Sequence, residues 1–469
     1  MSICYNICMS NKFVVTNDKS ITELSVQHWL ESFEQNIQPT LFELKSFYDG
    51  TDNISKLRTD NRRADNNIHI NLSYMVVNEM VSYCFGKPMT YDFVEGYEYE
   101  DYIRDLQYEN KENSENVSIE KDCSKFGLAY EFIGVDENKK PFFKRLNPLH
   151  TFKVVDDSVI QKDVCVITYS TVRPKNQATY KKGFIYTKEF RVAFTCRSGV
   201  VVFDDIEENI EFPDTLPVVT FLNNDETVGD YEKALEPLSA YSKLISVSYD
   251  DLDSISNALL LFYNAELSDE EKAELNKTRV VGLQGENAKA EYIYKKLDIN
   301  TFKVLREALR DDILLLCSIP DMSDVTSYSK SAAAIRYKLV NIEAARHLKN
   351  VYMEQGLRQR LEILSKYILK PFDISRKDVS LQFYSNLPAN IDADIDLLKL
   401  VNAGGLSLQS YLEQAETVKD ADAEYKRIRS ESVQKVKDAL FEVNEQVKNA
   451  ADEYDEQELE KIPLKSGNA

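Results

Sequence analysis

Apolar positions along this chain change their period several times, and each change predicts a different kind of element. From residue 20 to 50 they recur at helical spacing (Leu24, Trp29, Phe33, then Leu41, Leu44, Phe47), with Gly50 as a stop. After a polar stretch to Asn67, the segment from Asn71 to Phe85 reads as an amphipathic helix with Leu72, Met75, Val76, Met80 and Tyr83 on one side. Gly86-Lys87-Pro88 closes it, because glycine can take a left-handed cap and proline cannot continue a helix. Between Phe126 and Phe221 the runs shorten and fill with β-branched and aromatic residues: Phe126–Val135, Phe152–Val155, Val164–Val172, Phe184–Tyr186, Phe190–Cys196 and Val200–Phe203. Turn-forming clusters separate them, which predicts antiparallel strands joined by hairpins. Pro213 and Pro217 close that region.

Past Asn223-Asn224-Asp225 the helical period returns. Pro237 suits a first turn, and Leu238, Tyr241, Leu244, Ile245, Leu252, Ile255, Leu259 and Phe262 form one stripe, predicting a rod of roughly 40 Å. An irregular insert covers 264–300, and Thr301 to Cys317 is helical again. Ser318–Ser329 is a polar loop leading into a long helix, Lys330 to Lys370, in which Gly356 costs ~1 kcal/mol and predicts a bend. Val379–Tyr384 is extended. Val433, Val436, Leu440, Val443, Val447, Ala450 and Tyr454 then step by three and four, a seam for packing against other helices. The mixture predicts an α+β fold, and 469 residues at about 150 per domain predict about three domains.

Charge narrows the function classes. The net charge is −21, which excludes a histone-like or polybasic membrane-surface protein, although a local patch can oppose the net sign. Two blocks stand out. Residues 91–120 hold ten acids and two bases, a net −8 that predicts a solvated acidic helix or loop. Residues 330–370 hold nine Lys or Arg against Glu343, Glu354 and Glu362, a net +6. On spacing alone that stripe meets acidic neighbours, in the same subunit or the next one, or it touches phosphate.

Seven cysteines spread over so long a chain do not form a disulfide framework, and buried reduced thiols are expected. The first ten residues show no basic segment followed by an apolar one, so no signal peptide is expected. The longest apolar runs, Ala258–Tyr263 and Ile313–Cys317, fall far short of the ~20 residues of a membrane span, and the expectation is a soluble intracellular product without membrane partners.

Little in the sequence points to catalytic chemistry. No GxxxxGK[ST] phosphate loop, GxSxG elbow, HExxH pair or kinase set occurs. The best enzymatic candidate is Asp392, Asp394 and Asp396, closely spaced carboxylates of the kind that hold Mg²⁺ in a metal-dependent nucleic-acid-processing enzyme. They also follow Pro388 and open an apolar run, and acids in a first helical turn complement the helix dipole, which is the commoner reason for them. No cofactor is implied.

The order of pieces resembles a known family, the portal proteins of tailed double-stranded DNA phages, in the branch found in siphophages of Gram-positive hosts. The likeness spans about 60–469. It rests on Asn66-Asn67 and Asn71 with the helix ending in Phe85-Gly86-Lys87-Pro88, and on Asn147-Pro148 followed by Phe152 to Asp157. Phe221-Leu222-Asn223-Asn224 with Gly229-Asp230-Tyr231-Glu232 continues it, as do Phe383 to Pro388, Gly405-Leu406-Ser407 and Asp422 to Ile428. Ser329-Lys330-Ser331-Ala332 stands where the family usually has Ser-Gly-x-Ala, so a lysine replaces the glycine.

The resemblance implies a portal-type fold with an α/β wing (1–230, joined again by 371–400) and a stem of helices at 231–263 and 301–317. It further implies a small clip at 264–300, a tunnel loop at 318–329, a long helix at 330–370 and a helical crown at 401–469. Asp321, Ser323, Asp324, Thr326 and Ser327 become tunnel-loop residues, and Lys330, Arg336 and Lys338 become basic residues facing phosphate or a neighbouring subunit. It implies a non-enzymatic, twelve-subunit ring in the virion, at one capsid vertex, that passes double-stranded DNA during packaging and ejection. Implied partners are the terminase large subunit, scaffold and major capsid proteins, and a head-completion adaptor.

Overall fold

A computed structural model describes residues 12–52, 66–175, 178–256, 259–263, 289–293, 299–321, 338–384, 391–415, 418, 421, 424–435 and 437. The chain divides into two units, Met1–Asn386 and Leu387–Ala469. In the first, the order is β1 (Val14–Thr16), α1 (Glu23–Ser32), a π-helical turn (Phe33–Ile37), α2 (Gln38–Asp49), α3 (Leu72–Phe85), β2 (Thr90–Phe93), α4 (Glu100–Glu109) and α5 (Glu112–Phe126). Then come β3 (Leu128–Val135), β4 (Pro141–Leu146), β5 (Thr151–Asp156), β6 (Asp163–Val172), β7 (Tyr180–Tyr186), β8 (Phe190–Arg197), β9 (Val200–Glu208) and β10 (Val218–Leu222). Helix α6 (Leu235–Ser256), β11 (Leu259–Tyr263), β12 (Lys289–Ile293), α7 (Ile299–Leu316), α8 (Val340–Ser365) and β13 (Val379–Gln382) complete it.

The predicted strands form as an antiparallel meander, β5-β6-β7-β8-β9, and β1 adds to its edge parallel to β5, with Val14 opposite Val154. Period-two burial explains the sheet: Val192, Phe194 and Cys196 of β8 point into the core while their neighbours lie nearer solvent. A second sheet, β10-β3-β4, packs against the first through Leu128, Tyr130, Val166, Tyr186, Leu216 and Val218. Strands β4 and β10 escape the sequence pattern, because Lys144 and Arg145 break the apolar run of one and Pro217 abuts the other. Strand β2 pairs with β13, Tyr91 opposite Leu381, a contact that no local pattern encodes.

Side-chain caps start helices α1 and α3. Thr22 accepts from the Ser25 N–H at the start of α1, and Asn71 accepts from the Tyr74 N–H at the start of α3. Gly50 takes the expected left-handed stop, φ +67°. Gly86 does not: its φ is −65°, and Pro88 two residues on is what forbids continuation.

Three expectations need larger correction. The rod expected through Phe262 ends at Ser256, and Leu259 to Tyr263 form strand β11, paired with β12 so that Leu259 faces Ile293. A continuous apolar run satisfies a helix stripe and a strand equally, and the partner strand decides. The acidic block is not simply solvated, because Glu112 and Glu120 of α5 are buried. Finally, α8 runs through Gly356 as one helix. The glycine is there for packing: a Cβ on Gly356 would stand 2.3 Å from the Phe221 ring of β10.

The second unit contains α9 (Ile391–Asn402), α10 (Leu408–Gln414) and a helical stretch at 424–435. Ser407 caps α10 by accepting from the Ser410 N–H at 3.1 Å. Val433 of the predicted seam is exposed, and Val436, Leu440, Val443, Val447, Ala450 and Tyr454 lie outside the described residues. Among the described residues no helix is long and apolar enough to cross a membrane.

Candidate functional site

Helix α8 buries a stripe at Arg346, Lys349, Met353, Gly356, Arg360 and Ile363. The steps of three and four put all six on one face. Three of those six positions carry cations, which an apolar stripe does not predict, and each is paired with a carboxylate of the same chain.

Arg360, 1% exposed, is the deepest. Its Nε donates to Glu131 Oε2 at 2.7 Å and its Nη2 to Glu131 Oε1 at 2.9 Å, while Nη1 reaches Glu112 Oε1 at 2.6 Å and Nη2 also reaches Asn116 Oδ1 at 2.8 Å. Tyr91 donates to the same Glu112 oxygen. The guanidinium carbon sits 4.4 Å from the Phe143 ring centroid and 5.6 Å from that of Phe221, so its faces are filled as well as its edges. One turn of contacts thus ties β2, β3, α5 and β10 to α8.

Lys349 lies between Glu120 Oε1 at 2.8 Å and Asp230 Oδ2 at 3.0 Å, and donates to Asn223 Oδ1. Asp230 is held by Ser124 Oγ and by Asn223 Nδ2. The turn that delivers Asp230 can approach only because of Gly127 (φ +79°), where a Cβ would fall 1.8 Å from the Thr227 carbonyl oxygen. Arg346 pairs with Glu343, which also accepts from Tyr83 OH of α3 at 2.6 Å.

The ladder therefore holds five carboxylates against three cations. Burial pushes the carboxyls of Glu131 and Glu120 above the ordinary range, with Arg360 and Lys349 pulling the other way. Burial likewise opposes the charge on Arg360 and Lys349, but their carboxylate partners outweigh it and hold both cationic. For Glu343, burial acts upward, yet the Arg346 and Tyr83 hydrogen bonds win and its carboxyl is lowered.

A second charged contact sits at Asp321, within the expected tunnel loop. Arg310 of α7 lies 3.1 Å from Asp321 Oδ2, and Lys338, just before α8, donates to the Asp321 carbonyl at 3.3 Å. Asp321 and Lys338 are thereby brought together. Ser323, Asp324, Thr326, Ser327, Lys330 and Arg336 lie outside the described residues. Asp392, Asp394 and Asp396 fall at the start of α9, as the helix-start reading expects, and their side chains lie outside the described set. Among the described residues no group of three or more His, Cys, Asp or Glu could hold a metal ion.

Of the partners open to the basic stripe, acidic groups of the same chain claim Arg346, Lys349 and Arg360. Sequence reasoning missed Glu112, Glu120, Glu131 and Asp230 as their partners. The signal was present in part: cations at 346, 349 and 360 keep the spacing of the apolar residues around them.

What these residues define is a mechanical framework, a long helix locked to two sheets by buried charge. The family model for phage portal proteins of the SPP1 Gp6-like type matches residues 27–438, and the chain belongs to that family, one of structural rather than enzymatic proteins. No curated protein matches the chain in sequence.

Proposed function

We propose that this chain is the subunit of a ring-shaped channel, a dodecamer, at one capsid vertex, through which double-stranded DNA enters the head during packaging and leaves during ejection. The observation that carries this reading is the family match across residues 27–438, nearly the whole described chain. Exposed apolar residues support assembly: Leu315 is 68% exposed on α7 and Leu348 is 65% exposed on α8. Head-to-tail contacts that close by rotation bury such positions.

In this reading 1–230 and 371–400 are the wing, 231–263 and 301–317 the stem, 264–300 the clip and 401–469 the crown. Residues 318–329 are the loop that follows DNA, with Asp321 anchoring it to Arg310 and Lys338. The ring docks the terminase motor, scaffold and capsid proteins and a head-completion adaptor, and it carries out no chemistry itself. A net negative channel leaves DNA weakly held and free to slide, because tight binding needs cations that release counterions from phosphate. Arg346, Lys349 and Arg360 are consumed inside the subunit, and in this reading Lys330, Arg336 and Lys338 are the basic residues that face DNA or a neighbouring subunit.

Negative-stain imaging of the purified protein tests the assembly: rings are expected, and monomers at every concentration and salt would overturn it. Deleting 321–327 is expected to spare the rings and abolish DNA packaging in an in vitro assay. Loss of rings in that variant would move the loop from channel to interface.

A further inference from the structure

A cleft of about 190 Å³ opens where the β3–β4 hairpin of one sheet faces the β7–β8 hairpin of the other. Five aromatic side chains line it: Phe132 and Phe142 from one hairpin, Tyr186 and Phe190 from the other, and Phe212 from the segment after β9. The Phe132 ring lies 4.9 Å from that of Tyr186 and 6.0 Å from that of Phe142. Gly134 permits this arrangement, since a Cβ there would stand 2.6 Å from the Phe132 ring and 2.9 Å from the Phe142 ring.

The rim is acidic and held in place. Glu207, Glu208 and Glu211 line the cleft against a single cation, Arg191. Asn209, between them, donates its side-chain amide to the carbonyls of Lys188, Phe212 and Thr215, which fixes the rim segment. Arg191 already displays the chemistry on offer: its guanidinium lies 5.3 Å from the Phe184 ring centroid and pairs with Glu207. Glu208 and Glu211 are exposed.

We propose that this cleft is a docking pocket for one arginine side chain, presented by an extended basic segment of a partner protein. The volume is below the several hundred Å³ of a small-molecule site and suits a single long side chain. Rings below and carboxylates at the rim match a planar, always-charged guanidinium better than an ammonium, because it stacks on aromatic faces and forks to carboxylates at once. The proposal stands on the cleft alone and holds whether or not the chain forms a channel.

The test is fluorescence anisotropy of dye-labelled (Gly-Arg)₄ and (Gly-Lys)₄ peptides titrated with the full chain at physiological salt. The arginine peptide is expected to bind several-fold more tightly. The double variant Glu208→Gln/Glu211→Gln is expected to weaken it about tenfold, while Glu43→Gln/Glu79→Gln, an equal charge change on remote exposed helix positions, leaves it within about twofold. Phe142→Leu, which keeps the apolar volume but removes a π face, is expected to cost about fivefold, with circular dichroism confirming the fold. Equal loss in the two double variants would mean attraction by bulk charge and overturn the pocket. Equal affinity for the two peptides, or an unaltered affinity in the rim variant, would overturn it as well.

Discussion

Arg360 on α8 and Glu131 on β3 meet in a two-bond fork, Nε to Oε2 at 2.7 Å and Nη2 to Oε1 at 2.9 Å, although 229 positions separate them in sequence. The fork is fully enclosed, so its removal exposes neither charge to water. It joins the end of the long helix to the middle of the small sheet, and it makes the basic stripe of the sequence a structural element of this subunit.

Arg360→Met is expected to destabilise the protein by about 3–5 kcal/mol, because Glu131 and Glu112 stay buried without their cation. Adding Glu131→Gln and Glu112→Gln to that variant is expected to restore much of the loss. Urea unfolding followed by circular dichroism reads both, and equal stability of Arg360→Met and the parent protein would remove the fork from the framework.

The ladder also fixes a pH dependence with opposing signs. The lowered carboxyl of Glu343 contributes stability that is present above its ordinary value of 4.5 and is lost as the pH falls through the folded value. Glu120 and Glu131 are raised, so their contribution is largest below that ordinary value and fades as the pH rises through their folded values. Glu343→Gln is therefore expected to flatten the acid side of a plot of urea midpoint against pH. An unaltered acid limb would assign the loss to other carboxylates.

Gly356→Ala sets a helix gain against a packing loss. Alanine favours the helix by ~1 kcal/mol over glycine, but its methyl would meet the buried Phe221 ring. Overpacking of a closed core costs about 1–3 kcal/mol, so a net loss of up to about 2 kcal/mol is expected from the unfolding midpoint. Gly356→Ala combined with Phe221→Leu should recover part of it.

The cysteines give a fourth check. Cys84, Cys123, Cys165, Cys196 and Cys317 are buried, and burial pushes their thiols up, that of Cys317 to about 12. In a Cys4→Ser/Cys8→Ser variant, a chromogenic thiol reagent at pH 8 is expected to find almost no fast-reacting thiol until denaturant is added, and then five. Fast labelling of the native variant would mean that these thiols open to solvent.

Local chemistry was legible where it decides structure within a few residues. The meander from β5 to β9, the helix start at Asn71 and the stop at Gly50 all follow from side-chain period and backbone preference. Strand β11 was misread because five consecutive apolar residues fit a helix stripe as well as a strand, and strand β12 that settles the choice begins 26 positions after it ends.

By itself, the sequence determined the α+β texture, the two opposed charge blocks, and the ordered motifs that resemble the portal family. Only the tertiary structure decided where the charge blocks go: α5 of the acidic block and α8 of the basic block pack around β3 and β10, so that Glu112 and Glu120 meet Arg360 and Lys349 out of water. The physical reason is that helical period places a residue on a face but does not say what covers that face. A cation in a stripe is solvated or buried according to the carboxylates that distant segments bring to it, and that pairing exists only once the chain has folded.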